Sequence, residues 1–87
     1  MATVFIPPLM RRHTGGVEQV EVEGATLRLI IEALEERFPG VKQRLMQDGQ
    51  IMPGVAASID GETETMGLIQ PVQPDSEIHF IPAIGGG

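Results

Sequence analysis

The sequence predicts an α+β fold in which a mixed sheet of roughly four to five strands is covered on one face by one main helix. The first observation is a run of apolar residues with helical spacing between Thr26 and Pro39. The second is an alternation of apolar and polar residues in short segments on both sides of that run. The length of 87 residues is that of one domain. One helix packed on one sheet is therefore the simplest way to bury both patterns.

The predicted helix begins after Thr26 and ends before Pro39. The Thr26 hydroxyl can accept a hydrogen bond from a free backbone amide in the first turn, as an N-cap does. Proline has no N–H to donate and restricts the residue before it, so we expect Pro39-Gly40 to end the helix. The apolar side chains form one stripe that we expect to face the core: Leu27, Ile30, Ile31, Leu34 and Phe38.

Strands are predicted on both sides of this helix, at residues 3–6, 17–23, 55–59, 62–65 and 77–81. Asp60-Gly61 predicts a hairpin, because both central residues of a type I′ turn have positive φ. The connections are expected to be irregular, apart from one or two helical turns: an extended loop at 9–16, helical turns at 41–46 with Leu45 under the sheet, a polar loop at 47–53, and an irregular segment at 66–72 with Leu68 and Ile69 buried.

The sheet face without a helix is a candidate partner surface. Alternation along the last strand places Ile78 and Phe80 towards the helix and Ile81 on the opposite face. We expect Phe5 of the first strand on that same open face. Clustered exposed apolar groups indicate binding, although single ones are common on any surface. We favour a partner interface of Phe5, Ile81 and Ile84, because Ile81 lies just before the C-terminal glycines.

Composition argues against several classes of protein. The net charge is −6, with 12 acidic and 6 basic residues, whereas nucleic-acid binding requires an excess of Lys and Arg. No segment approaches the roughly 18 apolar residues of a membrane span. The N-terminus lacks the basic and apolar pattern of a signal peptide, so we expect a cytoplasmic protein that binds neither membrane nor nucleic acid. The absence of cysteine excludes disulfides, a thiolate nucleophile and Cys-ligated metals.

We expect no catalytic residues of its own and no bound metal or cofactor. The two histidines, His13 and His79, have no nucleophile or cluster of metal ligands at a suggestive spacing. His79 is expected to be a surface residue of the last strand. The glycines match no phosphate-binding motif. Any nucleotide site should therefore belong to a partner.

The chain ends on Gly85-Gly86-Gly87, which we interpret as a flexible tail after a domain of residues 1–84. Glycine adds no steric bulk, so this tail is thin enough to enter a narrow enzyme channel. An α-carboxyl group titrates at about 3.3–3.7, so the Gly87 carboxylate is ionised at neutral pH. There it could attack the α-phosphate of ATP and form an acyl-adenylate. The alternative is a tail without function or a remnant of expression, and the tail alone leaves both open.

The element order and the C-terminus together resemble the ThiS/MoaD family of ubiquitin-like sulfur carrier proteins, which have the β-grasp fold. The most specific part is the closing Pro-x-hydrophobic-x-Gly-Gly pattern, on Pro82, Ile84, Gly86 and Gly87. Within the family the chain is most similar to the CysO type. That similarity is carried by Ile6-Pro7, Arg11, His13-Thr14-Gly15-Gly16, Gly24, Thr26-Leu27 and Arg44-Leu45-Met46. The segment from Arg11 to Gly16 has two open interpretations, a structural turn or a functional loop.

The resemblance implies a partner chemistry for the tail. A ubiquitin-activating-type adenylyltransferase, similar to MoeB and ThiF, would use ATP and Mg²⁺ to adenylate Gly87. A sulfur donor would then convert the carboxylate to a thiocarboxylate. In the CysO type the acceptor is O-phosphoserine on a PLP-dependent cysteine synthase, and a zinc-dependent peptidase releases the cysteine. Gly85 stands where many members have alanine, which should loosen the tail without blocking its chemistry.

Two alternatives remain open at this point. The resemblance also fits the small subunit of molybdopterin synthase, in which the large subunit passes the sulfur to a pterin. It equally fits a ubiquitin-like modifier that is joined through the same tail to a target lysine. Lys42 is the only lysine of the chain, so the protein is a poor substrate for building lysine-linked chains on itself.

Overall fold

The computed structural model describes residues 1–82, apart from the side chains of Leu9 and Pro82. Ile84 and Gly85-Gly86-Gly87, and with them the predicted boundary between domain and tail, lie outside the described residues. Between Ala2 and Pro82 the chain forms strands, two α-helices and two 3₁₀ helices. In chain order these are β1 Ala2–Phe5, a 3₁₀ helix Pro8–His13, β2 Gln19–Val22, α1 Leu27–Arg37, α2 Lys42–Leu45, β3 Met46–Gln47, β4 Gln50–Ile51, β5 Val55–Ile59, β6 Glu62–Thr63, a 3₁₀ helix Gly67–Ile69 and β7 Glu77–Pro82.

The main sheet has five strands in the order β2-β1-β7-β5-β6, and β3 pairs only with β4. β7 is the central strand. It runs parallel to β1, with Val4 opposite Ile78, and antiparallel to β5, with Ala57 opposite Phe80. The parallel pair joins the first and last strands of the chain, so the chain between them must include a crossover. The predicted mixed sheet with one main covering helix is confirmed.

Helix α1 provides one side of the core, as its periodicity predicts. Leu27, Ile30, Ile31 and Leu34 are fully buried. The Thr26 side-chain oxygen accepts a hydrogen bond of 3.3 Å from the Leu29 amide, which confirms the predicted N-cap. The other side of the core is the inward row of the sheet, which includes Val4, Val20, Ala57, Ile78 and Phe80.

Gly24 lies between β2 and α1, where its backbone comes very close to the backbone of the helix. A Cβ built at this position would lie 2.8 Å from the Ile30 amide nitrogen and 3.0 Å from the Leu29 carbonyl carbon. Both are backbone atoms of the helix, which cannot move aside as a flexible side chain would. Only glycine therefore lets the start of α1 pack this closely against the strand that precedes it.

The end of α1 is tied to α2 by one carboxylate. Glu35 accepts hydrogen bonds from the Gly40 amide at 3.1 Å and from the Lys42 amide at 2.9 Å. These backbone donors, Lys42 first, lower the pKa of the Glu35 carboxyl group below its ordinary value. Lys42 also forms an ion pair of 2.8 Å with Glu32. The sharp turn between the helices is thus held in place, and Leu45 of α2 is buried as predicted.

The Asp60-Gly61 hairpin is confirmed, with φ of 54° and 87° at its two central residues. The Asp60 carboxylate also accepts hydrogen bonds from the Glu77 amide at 2.9 Å and from the Ser76 hydroxyl at 2.7 Å. These two donors, the Glu77 amide first, lower the pKa of Asp60. One side chain therefore fastens the β5–β6 hairpin to the start of β7.

Three of the predicted irregular segments differ in the structure. Pro8–His13 is a 3₁₀ helix rather than an extended loop, because Pro8 suits a first helical position and the turn buries Met10. Within residues 47–53, a second Asp-Gly turn at Asp48-Gly49 produces the short β3–β4 hairpin, with φ of 54° and 76°. Ile69 is 67% exposed, contrary to the prediction, because the 3₁₀ helix of residues 67–69 turns only Leu68 towards the core.

Several strand bounds also differ from the predicted ones: β1 covers Ala2–Phe5 rather than 3–6, β2 ends at Val22 rather than at residue 23, and β7 extends to Pro82. β2 begins at Gln19, and Val17 before it is exposed in the turn that follows the first 3₁₀ helix. β6 ends at Thr63 rather than Thr65. Within the described residues, none of the helices is long and apolar enough to cross a membrane.

Candidate functional site

Phe5 and His79 meet on the open face of the sheet. Their rings stack with centroids 4.3 Å apart and planes 6° from parallel. The parallel register of β1 and β7 places the two residues directly opposite each other. His79 is exposed, as expected for a surface strand residue, and it covers part of the half-buried Phe5. The sequence alone does not predict this contact, because the contact depends on the pairing of β1 with β7, the first and last strands of the chain.

Ile81 lies on the same open face, two residues beyond His79. Its side chain is 51% exposed. Its neighbour on β5 is Ala56, whose single methyl group is too small to cover the Ile81 side chain. The predicted placement of Phe5 and Ile81 on one open face is thus confirmed. We call Phe5, Ala56, His79 and Ile81 the exposed patch.

A cleft of about 480 Å³ opens on the other side of the end of β7. Its apolar lining includes Pro7, Met10, Leu45, Val55 and Phe80. Val55 pairs with Pro82, the last described residue of β7, so the cleft adjoins the point from which residues 83–87 continue. We call it the exit cleft. The end of β7 therefore lies between the exposed patch on one side and the exit cleft on the other.

The segment from Arg11 to Gly16 owes much of its pattern to structure. Arg11 Nε donates a hydrogen bond of 3.2 Å to the Ile6 carbonyl. The Thr14 hydroxyl is buried, within hydrogen-bond distance of the Arg11 and Val17 carbonyls. Gly15 and Gly16 have φ of 67° and 88°, which glycine adopts without strain. The structural interpretation therefore accounts for these four residues, and it does not account for Arg12 and His13.

Arg12, His13 and Arg44 give the exit cleft its polar lining. Arg12 comes from the first 3₁₀ helix, whereas Arg44 comes from α2. These two elements meet here because Met10 and Leu45 are both buried in the core beneath them. The sequence gives no signal for this meeting, because the cations lie more than thirty positions apart.

The two histidines lie on different surfaces. His13 lines the exit cleft, and His79 lies on the exposed patch. Within residues 1–82 no group of three or more His, Cys, Asp or Glu side chains could hold a metal ion. The chemical resources near the end of β7 are thus an apolar and aromatic patch, a cationic cleft and the chain that continues towards Gly87.

Comparison with known proteins places this arrangement in a family. Residues 5–87 match the ThiS family, and the chain belongs to it. It is 32% identical over 90 residues to the sulfur carrier protein CysO of Mycobacterium tuberculosis, a match that covers 98% of this chain and 97% of that protein.

Two solved structures agree with that placement. One is a chain of the BexX/CysO complex of Amycolatopsis orientalis, with a TM-score of 0.95, 34% identity and full coverage of both chains. The other is CysO of Mycobacterium tuberculosis, with a TM-score of 0.90, 30% identity, and coverage of 97% of this chain and 100% of that one. The predicted β-grasp fold and the predicted family are both confirmed.

Proposed function

We propose that this protein is a sulfur carrier whose Gly87 carboxylate is converted to a thiocarboxylate that donates sulfide for the synthesis of cysteine. The observation that carries the proposal is the near full-length similarity to CysO sulfur carriers, together with a family match that runs through residue 87. A small carrier without a catalytic centre of its own is the expected form of such a protein. Activation then depends on partner enzymes.

The chemistry requires two substitution steps. The Gly87 carboxylate is the nucleophile in the first step, and its carbon is the electrophile in the second. In the first, a carboxylate oxygen attacks the α-phosphorus of ATP, pyrophosphate leaves, and an acyl-adenylate forms on a ubiquitin-activating-type adenylyltransferase that uses Mg²⁺. In the second, a sulfur nucleophile attacks the acyl carbon and AMP leaves with the bridging oxygen. With sulfide as that nucleophile, the product carries one sulfur in place of one oxygen. This activation of a poor electrophile through a covalent intermediate is what makes the exchange feasible.

The tail has to reach an active site while the domain stays outside. Five residues after Pro82 span at most about 18 Å when extended, at roughly 3.3–3.6 Å per residue. Phe5 and Ile81 on the exposed patch, with Ile84 after them, are proposed to contact the adenylyltransferase during this reach. An exposed apolar and aromatic group of this kind is suited to the centre of an interface.

We further propose that the thiocarboxylate passes its sulfur to O-phosphoserine on a PLP-dependent synthase. The cysteine would then be released from the carrier by a zinc-dependent peptidase. The name of the CysO relatives supports this route over a pterin acceptor. The Amycolatopsis relative is present in a complex with BexX, which supports a carrier that acts by binding other proteins.

The test is the intact mass of the carrier after incubation with the cognate adenylyltransferase, MgATP and sulfide. The unchanged chain should gain about 16 Da when sulfur replaces oxygen at the reactive carboxylate. Deletion of Gly87 should abolish both this gain and ATP–pyrophosphate exchange, because it removes the reactive carboxylate from its position. Gly86→Val should do the same, because a branched side chain thickens the tail and restricts its φ/ψ angles. Gly85→Ala is the matched control and should retain both, since alanine is common at this position in the family.

Two results would contradict the proposal. A carrier shortened by Gly87 that still gains the same mass would show that the sulfur is attached elsewhere. A carrier isolated from cells as a conjugate with a whole protein, without any thiocarboxylate form, would favour a modifier instead.

A further inference from the structure

The charges of this chain are separated along the length of β7. At the start of the strand, Glu77 lies beside Asp60, whose carboxylate accepts a hydrogen bond from the Glu77 amide, and Asp75 is two residues before Glu77. Glu62 is at the same end, because it pairs with Ile59, which in turn pairs with Ile78. β7 has 6 residues, so its other end lies about 16 Å away, at roughly 3.3 Å per residue.

The exit cleft at that far end carries cations. Arg12 and Arg44 line it, and both side chains are exposed. A guanidinium group stays protonated at any physiological pH, so both charges are permanent. The chain as a whole has a net charge of −6, yet this end of β7 has three arginines, because Arg11 donates a hydrogen bond to the Ile6 carbonyl beside the cleft. Glu18, whose carbonyl accepts a hydrogen bond from the Ile6 amide, is an acidic residue at the same end. Among the described residues, cations therefore gather at the end of β7 and carboxylates at its start.

Within residues 1–82, the side chains of Arg12 and Arg44 form no ion pair and no hydrogen bond. Among the residues that the structure describes, the ion pair within 4.0 Å is Lys42 with Glu32, and neither Arg12 nor Arg44 has such a partner. Arg11 and Arg37 differ, since they donate hydrogen bonds to the carbonyls of Ile6 and Glu21. Two permanent cations for which the described residues provide no ion-pair partner, in a chain with twice as many acidic as basic residues, are suited to binding a partner.

The cleft between them has an apolar floor of Met10, Val55 and Phe80. A buried apolar centre with a charged rim is the usual composition of a protein–protein interface. Nucleic acid fits less well, because the rest of the chain is acidic and the protein contains no Tyr or Trp to stack on bases. The chemistry therefore favours an acidic protein surface as the occupant.

We propose that the exit cleft, through Arg12 and Arg44, docks on an acidic rim around the channel of the adenylyltransferase that receives the tail. The inference rests on the proposed function, because that function supplies the enzyme. This separation of charged side chains along β7 gives the docking its direction. An acidic rim attracts the end with Arg12 and Arg44 and repels the end with Asp60 and Glu77, so the carrier arrives tail first.

The experiment measures the association rate of the carrier with the adenylyltransferase at two salt concentrations. Reversal of both charges, Arg12→Glu with Arg44→Glu, should slow association by about tenfold or more at about 0.1 M salt. The difference should largely disappear at about 1 M, where the Debye length falls from about 10 Å to about 3 Å. In the mass assay the same variant should raise KM more than it lowers kcat.

The matched control is Arg28→Glu, which makes the same change of charge on an exposed residue of α1 away from the cleft. Association should be slowed far less by Arg28→Glu, because this variant changes the net charge of the carrier and leaves the charges of the cleft in place. Thermal melts of all variants show whether each is folded. Equal slowing by Arg28→Glu and by an equivalent single reversal at Arg12, or no slowing by the double reversal, would overturn the proposal.

Failure of this proposal is distinguishable from failure of the proposed function. If the unchanged carrier gains no mass, the carrier function fails. If it gains mass and the double reversal associates equally fast, only the docking surface is wrong. Competition of inorganic phosphate for the cleft at constant ionic strength would instead assign it to a small anion. Salt-sensitive self-association, abolished by the reversal, would assign it to the acidic end of a second copy.

Discussion

The two faces of the central strand β7 differ in how far their side chains are exposed. Towards α1, Ile78 and Phe80 are buried, with exposed fractions of 0% and 4%. On the opposite face, His79 stacks on Phe5 and Ile81 is 51% exposed. Consecutive side chains of one strand thus face a closed core and an open surface.

This difference separates stability from binding within one strand. The inner row is covered by α1, so its side chains contribute the free energy of burial. The outer row has no helix over it, and its apolar atoms remain available to a partner. Substitutions on the two faces of β7 should therefore have different consequences, although the residues are neighbours in sequence.

The largest expected effect is on the free energy of unfolding, when an isoleucine on each face of β7 is shortened to alanine. Ile78→Ala should lower the free energy of unfolding by about 2–5 kcal/mol, because it leaves a cavity in the core. Ile81→Ala is the matched control and should change it by no more than about 1 kcal/mol, the span of strand propensity at an exposed site. Denaturant unfolding measures both. Similar losses in the two variants would mean that the faces do not differ as described.

The next effect concerns binding rather than stability. Under the proposed function, Ile81→Glu should weaken binding to the adenylyltransferase about tenfold or more, because a charge would be desolvated in the interface. The control is Ile69→Glu, since Ile69 is 67% exposed but lies in the second 3₁₀ helix, away from the open face. Titration calorimetry compares the two. Equal affinities for Ile81→Glu and the unchanged chain would remove Ile81 from the interface.

A smaller effect is expected from the stacked pair on the open face. A double-mutant cycle of Phe5→Leu and His79→Thr should give a coupling of about 0.5–1.5 kcal/mol, the range of aromatic pairs. Thr3 and Glu77 occupy the same register between the same two strands, and their cycle is the control. Coupling in the Phe5–His79 cycle no larger than in the control would show that the stack adds nothing to ordinary cross-strand contact.

The smallest effect is the pH dependence of stability due to Asp60, which lies in the β5–β6 hairpin beside the start of β7. Its pKa is lowered from the ordinary 3.8, so the folded state binds the proton less readily than the unfolded state. This contribution to stability is present above pH 3.8 and is lost as the pH falls through the lower folded value. Asp60→Asn should flatten the dependence of unfolding free energy on pH in this acid range.

Asp48→Asn is the control for that measurement. Asp48 has the same φ of 54° and is also followed by a glycine. The Asp60 carboxylate accepts hydrogen bonds from the Ser76 hydroxyl and the Glu77 amide. Within the described residues, the Asp48 carboxylate accepts no hydrogen bond of this kind. The substitution should therefore leave the acid-range dependence nearly unchanged. An equal flattening in both variants would detach the effect from the Ser76 and Glu77 donors.

The features that the sequence predicted correctly depend on near neighbours in the chain. The stripe of α1 and its Thr26 cap follow from the helical period and from one hydroxyl three residues before its donor. The Asp60-Gly61 turn follows from two adjacent residues that tolerate positive φ. Asp48-Gly49 carries the same signal, but the polar residues around it are typical of a loop. The prediction that Ile69 is buried is wrong, because a short apolar pair has no periodicity that indicates which of its side chains faces the core.

The sequence by itself determined the helix, the alternation along β7 and, through the glycine pattern, the family to which the chain belongs. Only the tertiary structure decided that Phe5 stacks on His79, that Asp60 fastens Ser76 and Glu77, and that Arg12 and Arg44 share a cleft. Local periodicity fixes which way a side chain points within its own element. Contacts between distant segments depend on the order and register of the strands, which the packing of the whole chain selects.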